Sequence, residues 1–130
     1  MSRYVEVEVA ASLAELRGAL AALGLRAQSR ADGRRISLEG SLECSAQPVD
    51  LRFDAGVMGA VEDFGFVVEG ERLSLVCGDV DEGQLRAALL APLSAQLIEA
   101  RVQALASSEG LEGQRLVEAD GTTRIVVRRK

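Results

Sequence analysis

Histidine is absent from this 130-residue chain, and lysine occurs once, at Lys130. The first absence removes the commonest general base and the commonest transition-metal ligand. A serine triad, a cysteine–histidine pair and a zinc enzyme are excluded in their usual forms. The second removes a buried Schiff-base lysine. No glycine loop of the phosphate-cradling kind, with its Lys and Ser or Thr, is present. Nothing in the sequence implies a cofactor, a metal or a catalytic residue.

Aromatics are scarce as well: Tyr4, Phe53, Phe64 and Phe66, with no tryptophan. A core must therefore be built from Leu, Val, Ile and Ala. At 48% hydrophobic and 27% charged the composition is that of a globular protein, and the length suits one domain spanning 1–130. Two cysteines, Cys44 and Cys77, and a first strand that carries Glu6 and Glu8 instead of an apolar leader point to a cytoplasmic protein with core thiols. No apolar run approaches the length of a membrane span.

The formal charge of −5 argues against a nucleic-acid partner, because such binding rests on clustered cations that neutralise phosphates. Charge is uneven all the same. Arg26, Arg30, Arg34 and Arg35 cluster early, and Arg124, Arg128, Arg129 and Lys130 cluster late. Solvated strand faces account for most such clusters.

What is present is patterned. Tyr4 to Val9 alternates, with Val5, Val7 and Val9 facing inward, which predicts a strand wet on one face. Ser12 with Glu15 is a capping box, and Leu13, Leu16, Leu20 and Leu23 draw an apolar stripe ended by Gly24. Leu25 to Arg30 and the Ile36–Leu38–Leu42–Cys44 run read as two strands around an Asp32-Gly33 hairpin turn. Pro48 opens another strand, with Val49, Leu51 and Phe53 on one face. Phe64 to Val68 and Leu73 to Cys77 make a further pair around Glu69-Gly70.

Asp81 with Gln84 is a second capping pattern. It opens a long helix through Leu85, Leu89, Leu93, Leu97, Ile98, Val102 and Leu105, interrupted by Pro92. Proline removes one backbone bond and crowds the preceding turn, so a kink or break is expected near Ala91. Arg115 to Glu118 and Thr123 to Val127 form a last hairpin around Asp120-Gly121. The expected order is β-α-β-β-β-β-β-α-β-β: an α+β fold with a largely antiparallel sheet and two helices packed on one face.

This pattern resembles a small family of conserved proteins encoded in red-algal plastids and cyanobacteria and found widely in bacteria. The resemblance rests on the leucine-striped helix ending in Leu23-Gly24, on Asp63-Phe64-Gly65-Phe66, on Gly70 and Gly110, and on Asp120-Gly121-Thr122 before the closing strand. Ser94, Ala95 and Gln96 stand where the family usually has an aromatic pair, and Arg3-Tyr4 where it has His-Phe. The family has no established activity. Its genes tend to lie near those of an AAA+ ATPase of the MoxR type, so the resemblance implies an accessory role there. It transfers no catalytic residue.

The leading expectation is a non-enzymatic protein-interaction module. Its candidate surfaces are the edge strand of the sheet and the basic C-terminal strand with Arg124, Arg128, Arg129 and Lys130. Phe64 and Phe66 share one sheet face. They read first as core residues and second as the lining of a partner groove, with Gly65 between them admitting another backbone. One alternative is a small-molecule-binding domain or a carboxylate-dependent enzyme, with Asp63, Asp79 and Asp81 as an acidic pocket. The other is a homo-oligomer assembled through sheet edges or the second helix.

Overall fold

A computed structural model describes residues 2–39, 47–108, 111–117 and 123–129, the last two segments as backbone. Alternation of apolar and polar residues produces the strands. They are β1 (Ser2–Glu6), β2 (Ile36–Ser37), β3 (Pro48–Val49), β4 (Leu51–Phe53), β5 (Phe64–Glu69), β6 (Arg72–Gly78), β7 (Leu111–Val117) and β8 (Thr123–Arg129). Four of them form an antiparallel sheet in the order β1-β6-β5-β4. Helix α1 (Leu13–Ala22) follows β1; α2 (Glu82–Leu85) and α3 (Ala91–Ser108) follow β6. The expected α+β architecture holds.

Register explains the core. Phe66 lies opposite Leu75 and Leu51, and Val5 lies opposite Leu75 on the other side. Residues two apart share a face. Val5, Val7, Leu51, Phe53, Phe64, Phe66, Leu73, Leu75 and Cys77 therefore form one apolar layer, and all are buried. Leu16, Ala19 and Leu20 of α1 cover it together with Leu85, Leu89, Leu93 and Leu97. Both helices thus lie on one face. Phe53 stacks on Phe64 at 5.1 Å and meets Phe66 edge-on at 6.3 Å. Burial of each large side chain contributes roughly 1.5–3 kcal/mol.

The capping box on α1 is present: Glu15 N–H donates to Ser12 Oγ at 3.2 Å and Ser12 N–H to Glu15 Oε1 at 3.1 Å. Arg101 of α3 reaches the same carboxylate at 3.2 Å and donates to the Ala10 carbonyl at 2.7 Å. The Ser12 amide first, and then Arg101, hold the Glu15 carboxyl below its ordinary value.

Two expectations change. Leu25 to Arg30 does not pair with the segment after it. Gln28 bridges Arg52, while Ile36 and Ser37 pair with Val49 and Pro48. Both stretches are pieces of one interrupted edge along β3 and β4. Asp32-Gly33 is a turn, with Gly33 at φ +76° and Arg34 N–H donating to Asp32 Oδ1, but it bulges within that edge. Turn chemistry was readable; the partner of the flanking strands was set by tertiary pairing.

At Pro92 the helix is interrupted where expected, just before Ala91, and the interruption is a widened turn. Arg86–Leu90 form one wide π-helical turn, and Ala91 N–H donates to the Arg86 carbonyl five residues back. Widening the turn before the proline absorbs the bond that its ring forbids. Finally, Asp81 does not cap α2: its side chain makes no cap hydrogen bond. The expected positions of Leu42, Cys44, Gly110 and the Asp120-Gly121 turn lie outside the described residues.

On the sheet face away from the helices, Gly65 lies under β3. A Cβ there would collide with the Leu51 carbonyl oxygen and come within 2.7 Å of Val49 Cγ2. Val49 joins Leu38, Val67 and Val76 in a small second core. The backbone that approaches Gly65 is thus the chain's own.

Gly65→Ala is expected to destabilise the fold by about 1–3 kcal/mol through overpacking, read from the urea midpoint. Glu15 gives a pH signature. Its folded-state value is lowered from 4.5, so its contribution is full above that value and fades as pH falls through the lower one. The stability gap between wild type and Glu15→Gln, measured by denaturant titration, should be present at neutral pH and close in acid.

Candidate functional site

The acidic residues separate into distinct structural roles. Asp63 is 1% exposed and accepts from Glu39 N–H at 2.7 Å and from Arg52 at 3.0 Å. Arg52 also donates to Gln28 Oε1 and Asp54 Oδ1, both at 2.7 Å. Burial opposes its charge; the carboxylates of Asp54 and Asp63 outweigh that and keep the guanidinium ionised. Together these contacts clamp the interrupted edge onto β4.

Asp81, equally buried, accepts from Val61 N–H at 2.7 Å and Glu62 N–H at 2.9 Å. Gln84 donates to the Met58 carbonyl at 3.1 Å. The pair that reads as a helix cap is instead turned onto the 57–62 turn. Asp79 is exposed. Asp63 and Asp81 therefore fix loops, and among the described residues no group of three metal-ligating side chains comes together.

The interior between sheet and helices is filled by Phe53, Phe64, Phe66 and leucines that are at most a few per cent exposed. Phe64 and Phe66 are both fully buried, which places them in the core and not along a groove. Arg30 and Arg34 lie at 3.5 and 3.8 Å from Asp32, and Arg35 at 3.3 Å from Asp50. Three of the four early arginines, Arg30, Arg34 and Arg35, are thus engaged in surface ion pairs. Arg124, Arg128 and Arg129 lie on β8, where the backbone alone is described; Lys130 lies outside the described residues.

The outer edge of β1 is different. Val7 N–H donates to the Leu73 carbonyl at 2.9 Å, continuing the β1–β6 ladder. In an antiparallel pair alternate residues bond the neighbour. The backbone groups of Val5 and Val7 therefore face β6, and those of Tyr4 and Glu6 face outward. Among the described residues no strand pairs with that side.

Beside it runs a groove of about 220 Å³, with Glu6, Val7 and Glu8 on one wall and Arg86, Leu90, Ala91 and Ser94 on the other. The second wall is the π-helical turn and the residues that follow it, so Pro92 shapes the groove as well as the helix. Tyr4, 57% exposed, lies on the same strand, but its side chain is on the opposite face of the sheet, where its hydroxyl donates to Gln47 Oε1. Sequence alternation could find the strand. It could not show that β1 ends the sheet, because that depends on strand order.

No protein-family model, no curated protein and no solved structure matches the chain. Among the described residues no helix is long and apolar enough to cross a membrane.

Arg52→Ala takes the guanidinium away from the buried Asp63 carboxylate, and breaking a buried pair typically costs about 3–5 kcal/mol. The expected outcome is a loss of that order in the denaturant midpoint. Arg30→Ala, at a surface pair, should shift it by less than about 1 kcal/mol.

Proposed function

We propose that the chain is a non-enzymatic protein-interaction module that takes an extended segment along the outer edge of β1. One observation carries the reading: the outward backbone groups of Tyr4 and Glu6 border a groove walled by the π-helical turn. Strand addition uses main-chain bonds for affinity and an adjacent groove for alternate side chains. The filled sheet–helix interior and the structural duties of Asp63 and Asp81 lend less support to a small-molecule or carboxylate-dependent enzyme. The family resemblance makes an AAA+ ATPase of the MoxR type, or a companion of it, the first protein to test, in the cytoplasm of a bacterial cell.

Glu6→Pro is the sharpest probe. The Glu6 N–H faces away from β6, so proline removes no bond of the existing ladder, yet it denies the edge to an added strand. With the purified ATPase and companion titrated against the full chain, Glu6→Pro should weaken binding at least about tenfold, or roughly 1.4 kcal/mol. Its own denaturant midpoint should stay near wild type. Equal binding by both forms, or no binding by wild type, contradicts the reading.

A further inference from the structure

We infer that a second copy of this chain occupies the β1 edge, inserting its β8 strand, and that two copies do so reciprocally. This rests on the reading of β1 as a docking edge and names its occupant. Strands β7 and β8 pair with each other over seven residues and join no ladder of the four-stranded sheet. The ribbon touches α3 but pairs with no other strand among the described residues, and a two-stranded ribbon gains stability from further strands. Strand β1 offers such a strand, and the result is a continuous six-stranded sheet, β4-β5-β6-β1 followed by β8 and β7 of the second copy.

Charge favours the same pairing. Residues 1–110 carry a formal −7 and residues 111–130 a formal +2, which together give the −5 of the whole chain. Locally, β8 bears Arg124, Arg128 and Arg129 with no acid; β1 carries Arg3 and Glu6, the latter paired with Arg72 at 3.3 Å, and the chain continues to Glu8. Glu8 is exposed and lines the groove beside the edge. A basic strand laid against Glu8 is attracted. Reciprocal exchange closes at two copies, since the same two patches serve both subunits.

Light scattering and sedimentation of the full chain over a wide concentration range test this. Wild type should be a dimer that dissociates as salt is raised. Glu6→Pro alone, and Arg128→Glu with Arg129→Glu, should each be monomeric where wild type is dimeric. Mixing the two variants should restore a heterodimer, because one intact β1 then meets one intact β8. Monomeric wild type overturns the inference while leaving the docking edge to be judged on the ATPase titration. A dimer lost with Glu6→Pro but kept with the arginine variant overturns β8 as the occupant. A dimer indifferent to Glu6→Pro overturns the occupant and the edge together.

Discussion

Burial of one face of a four-stranded antiparallel sheet is the constraint on which the rest depends. The chain has three phenylalanines for this purpose and places all of them on that face, from β4 and β5, under leucines of two helices. With both helices on one side, the other face is closed by a thinner arrangement in which Val49 lies over Gly65. That close approach requires a residue without a side chain. The glycine and the phenylalanines around it are therefore one device: two rings into the core and, between them, room for the strand above.

The buried carboxylates serve the same end. Asp63 with Arg52 fastens the interrupted edge beside β4, and Asp81 gathers the amides of Val61 and Glu62. Each satisfies backbone or cationic donors that would otherwise be costly to bury. The far side of the sheet is thereby tied down by β2, by the Gln28 bridge and by these contacts. No equivalent covers β1 among the described residues. The asymmetry, one edge clamped and one edge open, is what directs attention to β1.

Much of this was legible in the sequence. Leu16 and Leu20 on a capped helix, Val5 and Val7 on an alternating strand, and the pairing of Phe64 to Val68 with Leu73 to Cys77 follow from periods of 3.6 and 2 and from turn glycines. The partner of Leu25 to Arg30 was not legible, since local turn chemistry at Asp32-Gly33 is compatible with a hairpin or with a bulge in one edge. Nor was the fate of Asp81 and Gln84: spacing alone suits a capping box, and only the fold brings the 57–62 turn within reach. The edge strand could be named as a class of surface from the pattern. That it is β1, beside a turn widened by Pro92, required the strand order.

Amide hydrogen exchange along β1 tests the central claim most directly. The Tyr4 and Glu6 amides face outward, while Val7 is bonded to Leu73. In the dissociated chain, Tyr4 and Glu6 should exchange fast and Val7 slowly. When the edge is occupied, Tyr4 and Glu6 should become protected in the same alternating pattern. Association that leaves Tyr4 and Glu6 exchanging as fast as before would contradict the account.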